Sequence, residues 1–289
     1  MRNVGAGRMS GDVKNSIASI LRKLGIDWVK QFEERDPQFI VITKLCNALR
    51  DVNTVLKLTI LNSLVSYQLT GKGEDHWEYF VNYFISNKPR DLCSDFLDYV
   101  MGSKYLARFR ESRVKRVRGV CPKIVNWDLA NYVKDLLGLW RAITRIVGGS
   151  GEEKTIVFSV KMAYYVYRAC GFSVAVPMEI PIPVDYRVSL VTICSGLLQM
   201  EPLTNPSKLA REVMVRRRRE IQGVWSEVGR LSGIPPLNLD SLVWVLGGLL
   251  IDSSFRISNA VAGLRGLGVG VDESVIELLH LLGGRCIAK

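Results

Sequence analysis

The chain has 289 residues, 48% of them hydrophobic, and a formal net charge of +11, which favours a polyanionic partner with nucleic acid the first candidate. Its only histidines are His76 and His280, and its six cysteines, at 46, 93, 121, 170, 194 and 286, form no C-x-x-C pair. That argues against a histidine-dependent triad or a zinc site, and the longest uncharged apolar run, roughly Leu242 to Ile251, is too short to span a bilayer.

Residues 1–12 are polar and Gly-rich, read as a mobile tail without a secretory pattern. The thiols are therefore expected to be reduced, intracellular and mostly core. Val13–Leu24 places apolar residues at 13, 17, 20, 21 and 24, a helical stripe. Asp36-Pro37 is a turn that starts the next helix. Leu56–Leu69 predicts a strongly apolar helix ended by Thr70-Gly71-Lys72-Gly73, and Glu74–Ile85 and Asp91–Val100 predict two more. The basic segment 104–118 is also helical, and Cys121-Pro122 breaks the pattern. Asp128–Ile146 and Thr155–Cys170 flank the turn Gly148-Gly149-Ser150-Gly151-Glu152-Glu153. Asp185 can cap Tyr186–Leu198. A long basic helix runs from Thr204-Asn205-Pro206 to about Leu231, Gly233-Ile234-Pro235-Pro236 breaks it, and Asp240–Leu250 is a buried helix. The class is all-α, with about a dozen helices and no internal repeat.

Lys154 opens a helix just past a Gly-rich turn. Most lysines so placed are merely solvated. Yet the positive end of a helix disfavours a cation and favours the neutral amine that a Schiff base needs. Asp185 follows Pro181-Ile182-Pro183-Val184 at the head of another helix. A cap accounts for it alone, but a capping carboxylate held by backbone amides is also directed, which suits it to a cationic sugar. The 31 residues between the two suffice for one helix and a returning loop. The turn glycines allow close backbone approach, and amides at the helix start can hold a DNA phosphate. Trp77, Phe158 and Trp244 on apolar helices read first as core, Gln38 as a capping or surface residue, and Asp240 as an N-cap.

The order of hairpin, lysine and Pro-Val-Asp resembles the helix-hairpin-helix DNA glycosylases. Longer blocks resemble the archaeal GO glycosylases, which remove 8-oxoguanine from DNA. They are Ser66-Tyr67-Gln68-Leu69-Thr70-Gly71-Lys72-Gly73-Glu74-Asp75-His76-Trp77-Glu78-Tyr79-Phe80, Glu153-Lys154-Thr155-Ile156-Val157-Phe158, Pro181–Val188 and Gly233–Trp244. The likeness runs from about residue 13 to 286.

The resemblance implies two helical lobes with the active site in the cleft. A base-pocket lobe would comprise 13–119 with 198–289, and a helix-hairpin-helix lobe 120–197. Lys154 is expected as the Schiff-base nucleophile and Asp185 as the essential carboxylate. Gln38, Ser66, Trp77, Phe158, Pro183, Asp240 and Trp244 would line the base pocket. Asp240 could accept from the N7–H that distinguishes 8-oxoguanine from guanine, and Gln38 could read a purine edge. The reaction needs no cofactor and no metal, and Cys286 alone cannot hold the iron–sulfur cluster of some superfamily members. The expected partner is duplex DNA carrying 8-oxoguanine, with single-stranded DNA a further substrate, bound by a cytoplasmic monomer. Arg211, Arg216, Arg217, Arg218 and Arg219, and Lys104, Arg108, Arg110, Arg113, Lys115, Arg116 and Arg118, are phosphate-contact candidates. The hairpin departs from the common pattern: lysine follows the last glycine by three residues, not two, with Glu152 and Glu153 between. The alternatives are the same fold acting on an alkylated purine, or a non-catalytic helical DNA-binding protein in which Lys154 only meets phosphate.

Overall fold

In the computed structural model, which describes residues 10–287, every regular element is helical. The chain divides into two compact units, Glu34–Pro177 and Met1–Glu33 with Met178–Lys289.

The unit Glu34–Pro177 holds α2 (Pro37–Leu49), α3 (Val52–Val65), α4 (Gly73–Ser86), α5 (Leu92–Gly102), α6 (Arg110–Ile124), α7 (Leu136–Val147) and α8 (Lys154–Ala169), with 3₁₀ turns at Lys104–Leu106 and Leu129–Lys134. Asp36, Asp51 and Asp91 cap α2, α3 and α5 through their carboxylates. Helix α8 is buried at every position from Ile156 to Tyr167, as a helix apolar on all faces must be. It packs on α3, α2 and α7. Trp77, Phe80, Phe84, Phe96 and Tyr99 form an aromatic core beside it, with rings in edge and tilted contact except for the parallel stack of Phe84 on Phe96.

The other unit contains most of α1 (Ser10–Glu34), interrupted at Gly25 (φ 79°), and α9 (Tyr186–Ser195), α10 (Pro206–Arg216), α11 (Arg218–Ser232), α12 (Pro236–Asp252), α13 (Ile257–Gly266) and α14 (Glu273–Gly283). Helix α12 lies against α9, α11, α13 and α14. The α9–α12 approach requires glycine: a Cβ on Gly247 would meet Val191 Cγ2 at 2.8 Å. Trp225 is fully buried and donates from Nε1 to Thr192 Oγ1 at 2.9 Å.

Several expectations need correction. The first helix begins at Ser10, so residues 10–12 are not tail, and residues 1–9 lie outside the described residues. Pro122 does not break the chain; it sits inside the last turn of α6, and Val125 N still reaches Cys121 O at 2.9 Å. The long basic helix is two helices separated at Arg217. The α12 helix starts at Pro236, so Asp240 is a buried residue of its second turn and not an N-cap. The thiols are not all reduced: Cys93 pairs with Cys121 and Cys194 with Cys286. Intracellular proteins of hyperthermophiles are known to carry such bonds. Among the described residues no single helix is long and apolar enough to cross a membrane, although the bent pair α11–α12 passes on length and composition alone.

Candidate active site

The hairpin between α7 and α8 is built to stop one helix and start another. Gly148 (φ 75°) is the left-handed C-cap of α7, and the Gly148 and Gly149 amides both donate to Thr144 O, at 2.9 and 3.2 Å. A Cβ on Gly149 would meet Ile156 Cδ1 at 2.6 Å. The Glu153 carboxylate turns back over the hairpin, accepting from Ser150 N at 3.0 and 3.1 Å, Gly151 N at 3.0 Å and the Ser150 hydroxyl at 3.1 Å. Desolvation raises the Glu153 carboxyl's affinity for a proton, yet these bonds together hold it below the usual glutamate range. Glu152 N donates to Ser150 Oγ at 3.5 Å. The amides of 148–152 thus all find acceptors within the protein, those of Ser150 and Gly151 in the Glu153 carboxylate.

Lys154 follows in the first turn of α8, half-buried, with Nζ 5.9 Å from the Phe158 ring centroid. Phe158 meets Trp77 of α4 edge-on at 5.9 Å. Lys154, Phe158 and Trp77 are therefore brought together in one unit.

Ser66 ends α3 and is held by His76 of α4. Its hydroxyl donates to Asn62 O at 2.7 Å and lies 3.0 Å from His76 Nε2. With its one hydrogen committed, Ser66 accepts from Nε2–H, which sets the His76 tautomer and leaves a lone pair on Ser66 Oγ for an incoming donor. Burial, seconded by the nearby Arg113 charge, pushes the His76 imidazole down to about 3. His76 is accordingly a fixed neutral donor, a role its sequence position between Asp75 and Trp77 did not announce.

Gln38, 8% exposed, lies in the first turn of α2. The preceding Asp36 caps that turn through Gln38 N at 2.9 Å and also accepts from Lys161 Nζ at 3.2 Å and the Tyr165 hydroxyl at 2.9 Å, both on α8. Asp36 and Lys161 are 1% and 2% exposed, so removing either partner alone would cost about 3–5 kcal/mol. This latch fixes Gln38 relative to α8.

The basic segment 104–118 is divided by the fold. Arg113 is fully buried and donates to Val65 O, Leu106 O, Tyr67 O and Gln68 O. Arg116 donates to Leu64 O at 2.8 Å and Thr155 Oγ1 at 3.4 Å. Arg113 is thereby shut away from phosphate, and both arginines hold the turn that carries Ser66. Arg110 donates to Ser103 O at 3.2 Å, while Lys104, Arg108, Lys115 and Arg118 remain exposed.

In the other unit, Asp185 is the N-cap of α9, its Oδ1 accepting from Val188 N at 2.9 Å. Pro183 belongs to the buried segment 180–184, and Gln222 Nε2 donates to Ile182 O at 3.3 Å. Asp240 and Trp244 stand one turn apart on α12, and the Arg187 guanidinium stacks 3.8 Å over the Trp244 ring. Arg187 is a second residue that spacing alone did not mark. In the basic stretch of α10 and α11, Arg216 pairs with Glu212 at 2.9 Å and Arg217 with Glu220 at 2.6 Å, whereas Arg211 is exposed beside Tyr186. No group of three or more potential metal-binding His, Cys, Asp or Glu side chains occurs among the described residues.

Residues 18–274 match the AGOG family, described as N-glycosylase/DNA lyase. An N-glycosylase/DNA lyase of Pyrobaculum aerophilum is 40% identical over 234 residues, 80% of this chain and 84% of that protein. Another, from Thermococcus kodakarensis, is 36% identical over 79% of this chain and 82% of that one. The crystal structure of the 8-oxoguanine DNA glycosylase Pa-AGOG from Pyrobaculum aerophilum, complexed with 8-oxoguanosine, superposes with a TM-score of 0.76 at 37% identity, covering 96% of this chain and 99% of that one. With the family matched over residues 18–274 and a relative 40% identical over 80% of the chain, the chain belongs to the AGOG family of N-glycosylase/DNA lyases.

Proposed function

We propose that this protein excises 8-oxoguanine from DNA and then cleaves the strand at the emptied sugar. The observation that carries the reading is Lys154 at the hairpin exit with Phe158 one turn on and Trp77 against it. An amine beside an aromatic face is what a flipped base and its sugar require. The likeness to a glycosylase complexed with 8-oxoguanosine supports the choice of base.

The Lys154 amine attacks C1′ as the glycosidic bond breaks. Asp185, whose Oδ1 is tied to Val188 N, promotes loss of the amine proton and stabilises the cationic sugar. The aminal that results opens at the C1′–O4′ bond to an imine, O4′ taking a proton; the imine acidifies the C2′ proton, and its loss expels the 3′ phosphate. Phe158 and Trp244 offer faces for the base, and Gln38, Ser66, Trp77, Pro183 and Asp240 its edges. Asp240 accepts the N7–H of 8-oxoguanine, where guanine presents a lone pair. Ser66, with its hydrogen held by Asn62 O, can only accept. In this reading 120–197 carries the reacting pair and 13–119 with 198–289 the base pocket. A cytoplasmic monomer acts on duplex DNA, and on single-stranded DNA as well. The exposed Lys104, Arg108, Lys115, Arg118 and Arg211 meet phosphates.

The test is release of 8-oxoguanine from a duplex with one lesion, with borohydride added to trap the imine. The native protein should crosslink, and Lys154→Gln should neither crosslink nor excise while still binding DNA. Crosslinking by Lys154→Gln would move the nucleophile elsewhere. Binding without excision by the native protein would leave a non-catalytic DNA-binding protein, and excision of alkylated purines alone would replace the substrate.

A further inference from the structure

Two cysteines remain outside the disulfides. Cys46 is buried in the last turn of α2, and Cys170 is the partly exposed residue that ends α8. Cys170 Sγ–H donates to Cys46 Sγ at 2.8 Å, and Cys46 Sγ–H points to Val166 O at 3.9 Å. Both residues border a solvent-open cavity of about 670 Å³, with Asn47, Arg50, Gly171 and Phe172 around them, and of the two Cys170 is the partly exposed one. A sulfur pair in contact, one member facing an open cavity and the other behind it, has the layout of an attacking and a resolving thiol.

The electrostatics agree with that order. The Cys46 sulfur beside it holds the Cys170 thiol below the usual range despite partial desolvation, because once Cys170 ionises the contact reverses and Cys46 Sγ–H donates to the thiolate. The same contact, and then burial, push Cys46 far above that range. The accessible sulfur is therefore the one that ionises.

We propose that Cys46 and Cys170 form a thiol–disulfide exchange site, which a low-molecular-weight disulfide reaches through the cavity. The Cys170 thiolate attacks one sulfur of the disulfide RSSR, and RS⁻ leaves. Cys46 then gives up its proton to solvent and attacks Cys170 Sγ, expelling a second RS⁻. The protein loses two electrons, RSSR becomes two RSH, and a third intramolecular bond joins the end of α2 to the end of α8. Excess RSH reverses both steps, since an accessible disulfide is the labile kind. The two helices thus joined start at Gln38's turn and at Lys154, so the bond would brace the frame that presents both.

The experiment uses the full chain, with oxidised glutathione as the probe after mild reduction. Free thiols are then alkylated and the disulfides mapped by mass spectrometry. The native protein should lose both alkylatable thiols, yield a linked peptide pair containing Cys46 and Cys170, and melt several degrees higher than the reduced form. Cys46→Ser should stop at a glutathione adduct on Cys170, and Cys170→Ser should stay unmodified at Cys46. Retention of two alkylatable thiols in the native protein, or a persistent adduct without the linked peptide, would overturn the proposal. Faster modification of Cys46 than of Cys170 would overturn it too. The native measurement decides even if a variant fails to fold.

Discussion

A carboxylate at a helix start serves the fold and the reaction with different atoms. Asp185 binds Val188 N through Oδ1, which stabilises α9 whatever Oδ2 does. Asp185→Asn keeps an oxygen acceptor for the cap and removes the charge. The variant should melt within about 1 kcal/mol of the native protein yet lose roughly two to four decades in single-turnover excision. A native rate in a folded variant would reduce Asp185 to a cap. His76 makes a separate claim on pH. Its imidazole is held near 3 in the folded chain against about 6.5 unfolded, so the unfolded state takes up the proton first. Stability is then whole above about pH 6.5 and drains as pH falls toward 3. The drain from this one group is about 3 kcal/mol between pH 7 and pH 4. His76→Gln retains a donor for Ser66 but cannot charge, so its chemical-denaturation midpoint should fall less across that interval. Parallel acid limbs would show that His76 is not the group responsible.

At the scale of elements, the hairpin and α8 were legible because their signals are local. Gly148 ends α7, Lys154 opens α8, and Asp185 caps α9, all as spacing and capping preferences indicate. Legibility failed where a long-range partner decides. Arg113 reads as one more cation on a basic helix, but carbonyls from residue 65 to residue 106 surround it. Asp240 reads as a cap, but Pro236 already starts α12 one turn earlier. Glu153 reads as a repulsive charge beside a phosphate site, but its carboxylate takes the Ser150 and Gly151 amides for itself. Glu153→Ala should therefore weaken the protein at pH 7 by about 1 kcal/mol. Because the Glu153 carboxyl is held low in the folded state, this advantage of the native chain exists above the ordinary glutamate range and shrinks as pH falls through it. Denaturation of both proteins at pH 7 and pH 4 measures it; an equal gap at both values would show that the carboxylate charge does not secure the hairpin.

Across the whole molecule, the all-helical class and the polyanion partner followed from periodicity and the net charge of +11, properties summed over many residues. The disulfides did not follow, because connectivity depends on which helices meet, and the cysteine spacings record no such meeting. Each unit carries one bond: Cys93–Cys121 closes 28 residues of Glu34–Pro177, and Cys194–Cys286 closes 92 residues of the other. Helix α5 is thereby tied to α6, and α9 to the chain just past α14. If the bonds act by limiting the unfolded chain, the shorter loop contributes about 3.5 kcal/mol and the longer about 4.5 kcal/mol. For chains of this size a loss of 1 kcal/mol lowers Tm by about 2–4 °C. Cys93→Ser should then cost about 10 °C and Cys194→Ser somewhat more, and excess reductant should bring the native protein down by at least as much as either. Calorimetry with and without reductant checks this, with both thiols of each pair alkylated afterwards to confirm reduction. An unchanged Tm after confirmed reduction would mean that helix packing alone sets the stability of both units and that the bonds merely record proximity.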